Sequence, residues 1–116
     1  MTFSVKPTIN VGDDSIKILN SLNPNKIFFV TDPFVVESKM IDQVTKFLDK
    51  NISYDIFSNI QPDPSQELVE EGKKALKNSN PDLICAIGGG SAIDATKAII
   101  YDIYKEEKVK KIFVAI

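Results

Sequence analysis

Apolar residues recur along this chain in two rhythms, short unbroken runs and stripes stepped by three and four, and the two alternate. Lys26-Ile27-Phe28-Phe29-Val30-Thr31 is a run of the first kind, closed by Asp32-Pro33, and reads as a strand. From Phe34 to Leu48 the apolar positions Val36, Met40, Ile41, Val44, Phe47 and Leu48 fall on one face of a predicted helix. Ile52 to Phe57 reads as the next strand. Asp63-Pro64-Ser65-Gln66 predicts a helix start, with Asp63 as an acidic N-cap, proline at the first helical position and glutamine at the third. Leu68, Val69, Ala75 and Leu76 supply that helix's buried side, and Asn78-Ser79-Asn80-Pro81 ends it.

Leu83-Ile84-Cys85-Ala86-Ile87 is apolar throughout, as a strand covered on both faces should be. After Gly88-Gly89-Gly90-Ser91 a helix rich in alanine and isoleucine is predicted to about Tyr104. Lys105 to Lys111 reads as a mixed-charge loop and Ile112 to Ile116 as a last strand. Upstream, Thr8 to Leu22 adds a short strand and a helix opened by Gly12-Asp13-Asp14-Ser15. Strands separated by helices pair in parallel through right-handed crossovers. The prediction is one α/β domain over residues 1–116: a three-layer, mostly parallel sheet with helices on both faces. The final run has no turn residue after Ile116, so the chain is expected to be the leading part of something longer, truncated after that strand.

Charge and composition narrow the chemistry. Fourteen basic against sixteen acidic residues leave a net charge of −2 with no basic block, which argues against nucleic acid as a partner. No apolar run has the length of a membrane span. The opening residues lack the charged lead and apolar core of a signal peptide, so a cytoplasmic chain is the default expectation. One cysteine, Cys85, and no histidine at all mean that the chain brings no disulfide, no cysteine metal site and no histidine-based centre.

The most chemical segment is Gly88-Gly89-Gly90-Ser91-Ala92-Ile93-Asp94, between a buried strand and a helix. Glycines let the main chain approach a ligand closely. The unpaired amides and positive dipole end of the following helix favour a phosphate at the same spot. Ser91 adds a hydroxyl, and Asp94, one turn in, suits the dipole and can accept from loop amides. The segment lacks the lysine of a Walker loop, and Ile93 stands where the usual dinucleotide pattern has its third glycine. A tight strand-to-helix turn is the plainer reading.

Asp32, at the carboxyl end of its strand, lies where a nucleotide ribose tends to be read. A carboxylate there accepts from ribose hydroxyls and repels a 2′-phosphate, favouring NAD over NADP. With Pro33 beside it, Asp32 is equally suited to capping a helix.

Val30-Thr31-Asp32, Gln61-Pro62-Asp63-Pro64 and Ala86-Ile87-Gly88-Gly89-Gly90-Ser91-Ala92-Ile93-Asp94-Ala95-Thr96-Lys97-Ala98 together closely resemble the iron-containing (group III) alcohol dehydrogenases, in order and spacing over essentially the whole chain. Within them the likeness leans to the 1-propanol and ethanol dehydrogenase branch linked to propanediol or ethanolamine use, whose setting adds a bacterial microcompartment to the cytoplasm. The resemblance implies a Rossmann-like N-terminal domain, with Gly88, Gly89, Gly90 and Ser91 at the pyrophosphate of NAD(P). It places Asp32 near the adenosine ribose and Asp63 near the nicotinamide. It also implies a C-terminal helical domain holding a divalent metal, usually iron, through one aspartate and three histidines. The metal acts as a Lewis acid on a small alcohol or aldehyde, in a homo-oligomer. None of those ligands is in this sequence, so the chain alone is expected to be inactive.

Other residues carry plainer expectations. Cys85 reads as core, Lys97 as surface or helix-pairing, and Tyr101 and Tyr104 as packing or rim residues. Two competing readings stay open. One is a stand-alone signalling or small-ligand module such as a phosphoreceiver, although Asp55 falls inside a strand and no lysine follows Ile116. The other keeps the glycine motif with the chemistry of glycerol dehydrogenases or dehydroquinate synthases.

Overall fold

The structure, a computed structural model, describes residues 8–9, 14–21, 23–60, 65–88, 90–107 and 112–115. In chain order the elements are β1 (Thr8–Ile9), α1 (Asp14–Ser21), β2 (Lys26–Thr31), α2 (Pro33–Glu37), α3 (Met40–Thr45), β3 (Ser53–Phe57), α4 (Gln66–Ser79), β4 (Leu83–Ile87), α5 (Gly90–Glu107) and β5 (Ile112–Ala115). The five strands form one sheet in the order β1-β5-β4-β2-β3, and every pairing is parallel.

That order decides which face each helix covers. The steps β1 to β2 and β2 to β3 run one way across the sheet, and β3 to β4 and β4 to β5 run back. Right-handed crossovers then put α1, α2 and α3 on one face and α4 and α5 on the other. The core divides accordingly. Leu19, Ile27, Phe29, Val35, Ile41, Val44, Leu83 and Cys85 pack together on the first face. Phe28, Val30, Phe57, Leu68, Leu76, Ile84, Ala86, Ala95 and Ile99 pack on the second. Both central strands, β2 and β4, are buried on both sides, which is why their sequences are apolar runs rather than alternations.

At the amino ends of these strands, Asp82 fixes the register. Its Oδ2 accepts from the Asn25 amide and its Oδ1 from the Lys26 amide, each at 2.9 Å. Its own amide donates to the Lys26 carbonyl at 3.1 Å. β3, at the sheet edge, is exposed from Ser53 to Ile56 and buried only at Phe57. Lys26 Nζ meets Asp55 Oδ2 at 2.9 Å there, placing charge beside an open edge. The Ser79 hydroxyl and the Lys26 ammonium hold Asp55 below its ordinary carboxylate range. The Ser79 influence is that of a nearby dipole, because its hydroxyl closes no hydrogen bond of ordinary geometry.

Three local expectations are corrected. The single helix expected from Phe34 to Leu48 is two short helices. Lys39 adopts a left-handed conformation (φ 63°) between them, which turns Ile41 and Val44 inward and leaves Val36, Met40 and Phe47 exposed. The N-cap of α4 is Ser65, whose hydroxyl accepts from the Leu68 amide at 3.1 Å. Asp63, expected to be that cap, lies outside the described residues, and Gln66 opens the helix instead of holding its third position. α5 continues to Glu107, past Tyr104 and into the segment expected to be a loop.

The end of α4 matches expectation. Asn80 takes a left-handed conformation (φ 50°) and returns its amide to the Leu76 carbonyl before Pro81. Among the described residues no helix is long and apolar enough to cross a membrane.

Candidate functional site

β2 and β4 are neighbours in the sheet, yet the chain leaves them in opposite directions, toward β3 and toward β5. A crevice opens at the carboxyl ends of two such strands, and open α/β sheets place their ligands in it. The register pairs Thr31 with Ile87, so the next residues, Asp32 and Gly88, stand side by side at its mouth.

Asp32 has two roles at once. It is the N-cap of α2, in extended conformation, with Pro33 at the first helical position. Its Oδ1 accepts from the Val35 amide at 3.1 Å. Its Oδ2 lies over Gly88, only 2.7 Å from where a β-carbon on that residue would sit. Gly88 itself has φ +128°, a region side chains rarely enter. Its backbone conformation favours glycine, and any β-carbon would have to displace the Asp32 carboxylate.

α5 starts at Gly90, so the amides of its first turn, Gly90 to Ala92, point out of the helix end without intrahelical acceptors. Around Gly90 a β-carbon would meet nothing within 4 Å, leaving the approach to those amides open. Behind them the helix is anchored: Ala92, Ala95 and Thr96 are fully buried. The Thr96 hydroxyl donates to the Ala92 carbonyl at 2.7 Å. Ser91 is half-buried at the rim, and Asp94 is exposed on the next turn.

Of the expected site residues, Asp32, Gly88, Gly90 and Ser91 therefore gather around the ends of β2 and β4, while Asp94 is exposed a turn further along α5 and no hydrogen bond or ion pair among the described residues ties it to them. Gly89 and Asp63 lie outside the described residues. A residue that sequence reasoning did not single out is Val35, whose amide orients the acid. Its signal was the Asp-Pro pair three positions before it, an N-cap followed by a proline at the first helical position. Cys85 is fully buried, and desolvation pushes its thiol far above the ordinary range, so it is core. Lys97 and Tyr101 are exposed, as expected.

Geometrically this is a doubly wound α/β domain presenting a glycine turn, a helix amino end and one carboxylate at its switch point. Residues 7–115 match the family profile of the iron-containing alcohol dehydrogenase, and the chain belongs to that family. It is 33% identical over 100 residues to the 1-propanol dehydrogenase PduQ of Citrobacter freundii, covering 86% of this chain and 27% of that protein. It is also 33% identical over 101 residues to an NADPH-dependent butanol dehydrogenase of Clostridium saccharobutylicum, covering 85% of this chain and 26% of that one. In fold it is similar to the sulfoacetaldehyde reductase of Bifidobacterium kashiwanohense solved with NAD+. That match has a TM-score of 0.74 at 21% identity and covers 98% of this chain and 35% of that one. The chain thus spans about a quarter of the length of these two curated relatives.

The dinucleotide fits the residues present: open space beside Gly90, helix-end amides without intrahelical acceptors and an acid beside the turn. A metal finds no comparable set among the described residues. There is no histidine, and among the described residues no group of three acidic or cysteine side chains converges.

Proposed function

We propose that this chain is the dinucleotide-holding part of a metal-dependent alcohol dehydrogenase that interconverts a small primary alcohol and its aldehyde by hydride transfer. The amides of Gly90, Ser91 and Ala92 bind the pyrophosphate, with Gly88 and Gly89 giving it room. The Ser91 hydroxyl adds a donor, and Asp94 complements the positive end of α5. Asp32 accepts from the adenosine ribose and disfavours a 2′-phosphate, so NAD is preferred to NADP. Asp63 is assigned to the nicotinamide side on the family motif alone. The bound nicotinamide supplies the hydride acceptor; this chain's residues bind and orient it and take part in no proton transfer. Turnover requires metal ligands that the sequence does not contain, so the chain by itself is inactive. The whole protein works as a cytoplasmic or microcompartment homo-oligomer.

The observation that carries this reading is the Asp32 carboxylate lying over a glycine of positive φ at the mouth of the β2/β4 crevice. The stand-alone signalling alternative gains nothing from Asp55, which lies in the middle of β3 paired to Lys26. Calorimetry of the chain with NADH and ADP-ribose at millimolar concentration tests the proposal. Heat of binding with both is expected; absence of heat with either ligand would remove it.

A further inference from the structure

Gly88 makes a closer contact with Asp32 than a turn residue needs. A β-carbon there would stand 2.7 Å from Asp32 Oδ2 and 3.6 Å from its Cγ, with Ala92 Cβ in ordinary contact at 3.7 Å. The carboxylate is held in place by the Val35 amide, which donates to its Oδ1 at 3.1 Å, and Pro33 fixes the backbone just after it, so a β-carbon at 88 displaces it only by disturbing that cap. The Asp32 carboxylate is thus pinned between the start of α2 and the bare α-carbon of Gly88. From this we propose that Gly88 is the positioning residue for Asp32, and that the missing side chain at 88 sets the site's preference for a ribose 2′-hydroxyl over a 2′-phosphate.

The inference rests on the proposed dinucleotide site and adds a cause to its selectivity. A carboxylate fixed at the crevice mouth repels a 2′-phosphate at close range; one pushed aside by a new methyl group meets it across more water, where repulsion fades. Glycine at 88 for its φ alone would predict a different outcome. A strained turn weakens the pyrophosphate grip for both coenzymes alike and leaves their ratio unchanged.

The test compares ADP-ribose with 2′-phospho-ADP-ribose by calorimetry on the chain, its Gly88→Ala and Asp32→Ala variants and the double variant. The native chain is expected to favour ADP-ribose by about fivefold or more, the order that one close like-charge contact in water supplies. Gly88→Ala lowers that preference at least severalfold, Asp32→Ala abolishes it, and adding Gly88→Ala to Asp32→Ala changes the ratio no further. Without ligand, Gly88→Ala also shifts the Val35 amide resonance, because the cap is disturbed.

An unchanged ratio in Gly88→Ala, or a Val35 amide that does not move, overturns the inference while leaving the dinucleotide site standing. A native chain that binds neither ligand removes both. Should Gly88→Ala fail to fold, the double variant decides. If it folds, the steric conflict with Asp32 is the reason glycine is needed; if it too is unfolded, backbone conformation alone explains Gly88 and the inference fails.

Discussion

Replacing Gly72 by alanine sets two effects of known size against each other. Gly72 lies inside α4, where alanine is favoured over glycine by about 1 kcal/mol in helix propensity. The new methyl group, however, would overlap the Ile99 side chain, standing 2.9 Å from its Cγ1 and in closer conflict with Cδ1, and 3.3 Å from Cε2 of Phe57. Ile99 is 1% exposed and Phe57 8%, and the Phe57 ring is stacked on Phe28 with centroids 6.4 Å apart. Neither has room to move, so the overpacking term of about 1–3 kcal/mol applies. The net expectation is a loss of up to about 2 kcal/mol, as propensity offsets part of the strain.

A cycle with Ile99→Ala separates the terms. With the isoleucine removed, Gly72→Ala is expected to stabilise by up to about 1 kcal/mol, since the propensity gain remains and only the milder contact with Phe57 persists. Urea unfolding of the four proteins at constant m-value reads the coupling. If Gly72→Ala alone raises the midpoint by the full propensity gain, or if its effect is the same with and without Ile99, the close packing of α4 on α5 is refuted. The contact matters beyond stability because α5 carries the glycine turn at its amino end.

Asp82→Ala removes acceptors for two strand-end amides and is expected to lower stability by about 1–2 kcal/mol in the same urea assay, the low end for charge-assisted bonds at an exposed site. Cys85 should not react with thiol reagents in the folded chain and should react fully in denaturant, which a mass spectrum after iodoacetamide reads directly. The depressed Asp55 carboxylate stabilises the folded state above the ordinary carboxylate pKa of 3.8, and that contribution is lost as pH falls through its lower folded value. The stability gap between the native chain and Asp55→Asn should therefore be constant above about pH 5 and close below pH 4. It is expected to be small, because the pair is half-exposed.

The layered architecture could be read from the sequence because β2 and β4 are buried on both faces and leave unbroken apolar runs, and because α4 ends at Asn80-Pro81. The strand order could not, since nothing local says that β4 pairs with β2 on the side opposite β3. The break at Lys39 left no mark because lysine is not a turn residue, and the three-and-four stepping of Val36, Met40, Ile41 and Val44 continues across it. The α4 start was misread because two capping signals overlap, Asp63-Pro64 and Ser65, and the hydroxyl that reaches the Leu68 amide is the second. At the site, Asp32 is the helix cap that Pro33 beside it suggested, and the cap leaves its second oxygen free of that bond. One carboxylate oxygen makes the cap, and the other faces the glycine turn. The part that no pattern could show was the contact with Gly88, which exists only once β2 and β4 lie side by side.

An amide-resolved NMR titration of the chain with ADP-ribose tests the central claim most directly. The account predicts that the amides of Gly88 to Ala92 shift first and furthest, with Val35 following as the Asp32 carboxylate engages the ribose. Saturable binding that leaves those amides unmoved and perturbs another part of the domain would contradict it.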